Sequence, residues 1–278
     1  MPLAFSAIYK ISDKLDLATD GDVIAAEAAF STRFPAGYRE YVTTLGDGFL
    51  NYLVQVVVPS RLAHELAEFR DRQAGEGSLF YDLAPLPLPR LLESILLFTT
   101  DTGHQGVFHP DVPDTIYVFP HDEEHIYTIQ GSLADVLDWV FSTGILSARE
   151  RTQVLSASGD FVERPFHYFE PSGNRRRIEF SGSGTVTSDE LSSALMSFAR
   201  ANMDTVTCVL HHSEHVGTWV QLLVRECSAD VHPFGPSRDA DRYATISITY
   251  DPGLALTRLD PLFDYFDSIG YRRSDYAY

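Results

Sequence analysis

The sequence lacks several things, and each shortage removes a class of protein. No run of about 18 apolar residues occurs, so no segment predicts a membrane-spanning helix. The opening MPLAFSAIYKISDKLDL has no positive start followed by an apolar core, which predicts no secretory leader. Cysteine is scarce: Cys208 and Cys227 both fall in stretches that read as strands. Two such thiols predict buried, free side chains rather than a disulfide framework, and with the missing leader they point to a cytoplasmic protein. Lysine stands only at Lys10 and Lys14, so arginine carries nearly all the positive charge. There is no glycine-rich phosphate loop, no paired-carboxylate pattern and no internal repeat.

Acid is abundant. The net charge is −18, and it is uneven. Residues 1–150 hold 22 acidic and 9 basic side chains, a net of −13, while residues 151–278 hold 17 and 12, a net of −5. A field of this sign repels phosphate backbones, which argues against direct nucleic-acid binding, and it speeds association with a basic partner. Solubility alone also accounts for an acidic surface. A hydrophobic content of 44% with 12% aromatics predicts a packed fold rather than disorder, and the length suits one large domain or two ordinary ones.

The most patterned stretch is residues 22–48, DVIAAEAAFSTRFPAGYREYVTTLGDG. Val23, Glu27 and Phe30 fall along one side of a helix. Glu27 on that stripe predicts a boundary carboxylate with its head in solvent, unless it caps or pairs. Pro35 predicts the first turn of a second helix, where its missing N–H costs nothing. Tyr38, Tyr41, Val42 and Leu45 repeat at i, i+3, i+4 and i+7 as that helix's apolar face. Gly46-Asp47-Gly48 stops it.

Residues 49–58 then read as one strand, and Ser60 caps a helix over residues 61–72 with Leu62, Leu66 and Phe69 inward. The prolines of residues 84–89 predict an extended passage outside any sheet ladder. Residues 95–99 and 107–109 read as strands around a polar turn. Residues 115–120 and 125–130 form a hairpin across His121-Asp122-Glu123-Glu124. Ser132 opens a helix whose apolar face is Leu133, Val136, Leu137, Val140 and Phe141. This order predicts an α+β domain with an antiparallel sheet.

The same order resembles the SUKH superfamily, the Smi/Knr-type cell-wall-assembly-regulator domains that serve widely as bacterial immunity proteins against polymorphic toxins. The resemblance spans roughly residues 22–141. It is carried by Glu27, Phe30, Phe34-Pro35, Tyr38, Tyr41 and Leu45-Gly46-Asp47-Gly48, by the turn 101–107, by TIYVFPHDEEHIYTIQ, and by Gly131-Ser132-Leu133-Ala134-Asp135-Val136-Leu137. Asp47 interrupts the glycine pair of the family pattern. The resemblance implies a SUKH-like antiparallel sheet with flanking helices over residues 1–145. It also implies a non-enzymatic role without metal or cofactor, namely binding a cognate toxin, often a nuclease, and blocking its active site. A regulatory or scaffold module of the cell-wall type is the alternative within binding proteins.

Residues 142–160 read as a helix end and linker, and residues 160–278 as a second α+β domain of unknown type. Strands are expected at 166–170 and 175–180 around Pro171-Ser172-Gly173-Asn174, and at 205–210, 218–227 and 245–250. Helices are expected from Ser188, with Leu191, Leu195 and Phe198 on one face, and over residues 259–269.

Three clusters carry candidate chemistry. His211-His212-Ser213-Glu214-His215 packs four potential ligands into five residues and raises zinc, and with it a metal-dependent hydrolase using His211, His212 and His215. The spacing fits no established motif, and the expected setting is a solvated turn. Arg175-Arg176-Arg177 could hold an anion, but a strand sends alternate arginines to opposite faces. Asp101 and His104 could form an acid–base pair, with no serine or cysteine nucleophile recognisable beside them. The binding reading places the partner surface on acidic turns: Asp47, Asp101, Asp122, Glu123 and Glu124.

Overall fold

The structure, a computed structural model, describes residues 3–76, 85–121, 125–146, 150–173, 176–181, 188–213, 217–224, 229–234, 245–251, 253 and 256–277. The chain divides into two compact units. One comprises Met1–Ile8, Lys14–Ser147 and Tyr168–Pro171; the other comprises Tyr9–Asp13, Ala148–His167 and Ser172–Tyr278. Both are α+β.

In chain order the first elements are β1 (Tyr9–Lys10), α1 (Asp20–Ala29), α2 (Tyr38–Thr44), β2 (Gly48–Leu50), β3 (Val54–Val56), α3 (Leu62–Glu76) and α4 (Leu88–Glu93). Next come β4 (Ile95–Thr100), β5 (Gln105–Phe108), β6 (Thr115–Phe119), β7 (Tyr127–Gln130) and α5 (Leu133–Thr143). The remainder are β8 (Glu150–Leu155), β9 (Phe161–Glu163), β10 (Tyr168–Pro171), β11 (Arg176–Ser181), α6 (Ser188–Ala201), β12 (Val206–Ser213), β13 (Gly217–Val224), β14 (Ala229–Phe234), β15 (Thr245–Tyr250), α7 (Asp260–Ser268) and β16 (Arg272–Ala277).

The first unit is built on an antiparallel sheet in the order β10–β2–β3–β4–β5–β6–β7. Thr19 and Asp22 close a reciprocal capping box on α1, which turns Val23 and Ala26 into the core. Pro35 lies outside α2. Its carbonyl accepts from Tyr38 N–H at 3.1 Å, and Gly37 at φ +85° caps a helix that starts at Tyr38, three residues beyond the proline. Tyr38, Tyr41, Val42 and Leu45 are all buried. Gly46 ends the helix at φ +79°, and a Cβ there would stand 2.0 Å from the carbonyl oxygen of Asp16. Only glycine meets both demands.

The expected single strand at 49–58 is a tight hairpin instead. Asn51 and Tyr52 take positive φ, and Leu53 N–H donates to Leu50 O at 3.1 Å. The turn is braced from far along the chain: Asn51 N–H donates to Tyr168 O and Asn51 Oδ1 accepts from Tyr168 N–H, both at 2.9 Å. Tyr168 also sets its ring edge-on to Tyr52. The proline passage ends in a helix too, because Pro89 sits in the first turn of α4 where a proline is tolerated.

The second unit's sheet runs β16–β11–β15–β14–β13–β12–β8–β9, antiparallel throughout. Leu191 and Leu195 of α6 and Phe263 and Phe266 of α7 join one core with Ile178, Phe180, Cys208, Leu222, Ile246 and Ile248 of the sheet. Two expectations fail here. The segment taken for a linker contains β8, which pairs with β12. The two strands expected to flank Pro171–Asn174 do not pair with each other: β10 hydrogen-bonds to β2, whereas β11 lies between β15 and β16.

Candidate functional site

Asp47 is held within the fold. Gln55 Nε2 donates to its Oδ1 at 3.0 Å and Arg61 Nη1 at 3.2 Å, and its side chain keeps only 14% exposure. Arg61 reaches the other way to Glu65, one turn along α3. Partial burial opposes the guanidinium charge, but Glu65 and Asp47 outweigh it and hold the group above its ordinary pKa. This carboxylate joins the end of α2 to β3 and α3, and it is not displayed to a partner.

Asp101 is displayed. Its backbone N–H donates to Leu53 O at 3.0 Å, so it stands at the tip of the β2–β3 hairpin, at the opposite end from Asp47. The residue is exposed. Gly103 follows at φ +87°, close against the ring of His121. The structure therefore brings the Asp101 turn to the residue that precedes the acidic run. Asp122, Glu123 and Glu124 themselves lie outside the described residues.

His104 is no acid–base partner of Asp101. Its Nδ1 accepts from His121 N–H at 2.7 Å, which leaves Nε2 to donate to Leu146 O at 3.1 Å. Buried and engaged at both nitrogens, it ties the end of β6 to the segment after α5. His109 is likewise buried. Its Nδ1 accepts from Asp111 N–H at 3.2 Å, with Arg90 Nη2 at 3.1 Å and Glu93 Oε2 3.4 Å from Nε2.

His211 and His212, expected in a turn, are in a strand. His211 and His212 belong to β12, so their side chains leave on opposite faces of the sheet. His211 stacks on Trp219 at 4.7 Å and meets Gln221 Oε1 at 2.9 Å. His215 lies outside the described residues. Among the described residues no three His, Cys, Asp or Glu side chains gather to hold a metal. Arg177 pairs with Glu179 at 2.8 Å, Arg176 is exposed, and Arg175 is outside the described set. Cys208 is buried, and burial pushes its thiol up to about 12.

A signal that the turn-by-turn reading missed lies in the distribution of charge. Residues 101–148 contain eight Asp or Glu and no Lys or Arg. This stretch supplies β5, β6, β7 and α5, one contiguous side of the first sheet. Asp111, Asp114 and Asp135 are exposed there, at the end of β5–β7 away from the exposed Asp101. Ser132 donates to Asp135 and holds its carboxyl below the usual range. Tyr127 and Trp139 lie 5.2 Å apart where α5 meets β7, both only partly buried. Such aromatics beside charge are what protein interfaces favour.

None of the helices among the described residues is long and apolar enough to cross a membrane. No family model matches the chain, and no match among curated proteins was found.

Proposed function

We propose that the chain is a non-enzymatic, cytoplasmic protein-binding module of the SUKH type, an immunity protein that binds and neutralises a cognate toxin with a basic surface. The observation that carries this reading is the stretch of residues 101–148, which holds eight acidic residues and no basic one and supplies β5, β6, β7 and α5. A nuclease-like toxin presents positive charge to its substrate, and carboxylates carried on the turns and the helix beside the sheet compete for that charge. The order of elements through residue 141, with Gly46 and Ser132 in the roles the resemblance gives them, adds support.

The test is co-expression with the protein encoded directly upstream of this gene. Growth restored by the full chain, and a complex that survives purification, are the expected results. Absence of any toxicity to neutralise, or toxicity unchanged by the chain, overturns the reading. In the complex, Asp101→Lys with Asp114→Lys slows association roughly tenfold at low salt and flattens its salt dependence.

A further inference from the structure

We propose that the outer edge of β7 seats an extended basic segment of the partner, added to the sheet as one more strand. This rests on the reading of the chain as a binder of a basic protein, and it names where and how that protein is held.

The direction of the free groups follows from the ladder. Gly131 N–H donates to Asp114 O at 3.0 Å. Hydrogen-bonded pairs alternate in an antiparallel sheet, and the register sets Ile129 opposite Ile116 and Tyr127 opposite Val118. Tyr127 and Ile129 therefore turn their backbone groups to β6. The N–H and C=O of Thr128 and Gln130 point away from it, and among the described residues no strand pairs with that side. Both residues are exposed. The Gln130 side chain is engaged with the Thr115 hydroxyl, toward β6 and away from the outer edge. An edge of this kind is a template for strand addition. The same sheet already accepts a strand from more than a hundred residues away in sequence, since β10 adds to β2.

Charge selects the occupant. β7 lies inside the stretch that has no basic residue. Asp114 and Asp135 stand at its C-terminal end: Asp114 O takes the Gly131 N–H, and the Asp135 carboxylate crowds Gly131. Tyr127 of β7 packs on Trp139 of α5 at 5.2 Å, with Asp138 next along the helix. A second copy of this chain brings another −18 to the same edge and is repelled. A strand with arginine or lysine at alternate positions satisfies both the backbone and the carboxylates.

The probe is a ten-residue peptide alternating arginine and threonine. Its controls are the same sequence N-methylated at every second amide, in either phase, so that charge is kept and donors are lost. Binding to the full-length protein is followed by amide NMR up to millimolar peptide. The expected result is that Thr128 and Gln130 amides gain exchange protection while Tyr127 and Ile129, already protected, do not. One methylated phase binds roughly tenfold weaker. Thr128→Pro, which removes an outward donor and no hydrogen bond to β6, weakens binding similarly, while Thr128→Ala retains it. Equal binding of all three peptides, with no protection at Thr128, overturns the edge seat but leaves an acidic binding surface standing. No binding by any of them also overturns the edge seat, and the toxin-neutralisation assay then decides the wider reading by itself.

Discussion

Two tyrosines one turn apart on α2 show how much a single hydroxyl decides. Tyr38 donates to Val57 O at 2.8 Å, whereas Tyr41, whose ring packs edge-on to Phe5 and Phe169, has a buried hydroxyl with no hydrogen-bond partner among the described residues. Removing a satisfied buried hydroxyl strands its acceptor, and removing an orphan relieves a desolvation cost. Tyr38→Phe should therefore cost about 1 to 2 kcal/mol and Tyr41→Phe should be neutral or stabilising by up to about 1 kcal/mol; urea unfolding midpoints compare the two directly. Burial raises the acid groups of both tyrosines and of Cys208. For Cys208 the native thiol holds its proton to about 12 against an ordinary 9.0. The native state then binds more protons than the unfolded state between those values, so stability is full below about pH 9 and falls as pH rises toward 12. Cys208→Ala should flatten that alkaline loss in unfolding curves taken at successive pH values. Residue type alone showed that Tyr38 and Tyr41 face inward, but not which hydroxyl is satisfied, because Val57 lies on another element. Glu27 was opaque for the same reason. Its carboxylate accepts from Phe34 N–H at 3.2 Å and meets Arg39 at 3.4 Å, partners seven and twelve residues away.

At the scale of the element, what was legible is what is local. The apolar faces of α2, α3, α5 and α7, the glycine stop at Gly46 and the serine start at Ser132 all depend on neighbours within a turn or two. The misread elements depend on distant partners. Nothing within residues 49–58 announces that Asn51 and Tyr52 turn back, since the clamp that holds them is Tyr168. Likewise Pro171–Asn174 carries strong turn chemistry, yet the flanking strands belong to different sheets. The charged sequence of β16 and the internal Pro233 of β14 hid those strands from propensity. A local element also yields a local prediction. The Ser132 hydroxyl accepts from Asp135 N–H and donates to the Asp135 carboxylate, holding that carboxyl below its ordinary 3.8. Ser132→Ala should cost about 1 kcal/mol near neutral pH. A depressed carboxyl pKa contributes above the unfolded value and is lost as pH falls through the folded one. The difference between variant and parent should therefore hold steady down to about pH 4 and shrink below it, as denaturant titrations across that range would record.

For the whole molecule, charge distribution and charge pairing have to be separated, because the sequence reveals the first and conceals the second. A count of carboxylates shows which half is the more acidic, but it could not show that Arg61, fourteen residues on, had already claimed Asp47. Among the described residues Asp101 pairs with no lysine or arginine, although His104 lies close enough to act on its carboxyl, and it stands at a hairpin tip. These two residues, both expected on the partner surface, therefore separate folding from association. Asp47→Asn removes half of a partly buried, hydrogen-bonded pair and should lower stability by about 1 to 3 kcal/mol. It should leave the association rate and its salt slope essentially unchanged once the protein is folded. Asp101→Lys breaks no arginine or lysine pair among the described residues, though it gives up the carboxylate's bond from the Thr102 backbone, and should do the reverse, with a smaller shift of the unfolding midpoint than Asp47→Asn and a slower, less salt-sensitive association. Paired denaturation and stopped-flow binding, run at low and at physiological ionic strength, measure both columns of this comparison. If Asp47→Asn alone altered the salt slope, the surface would include the α2–β3–α3 junction and the acidic side of the sheet would be serving solubility.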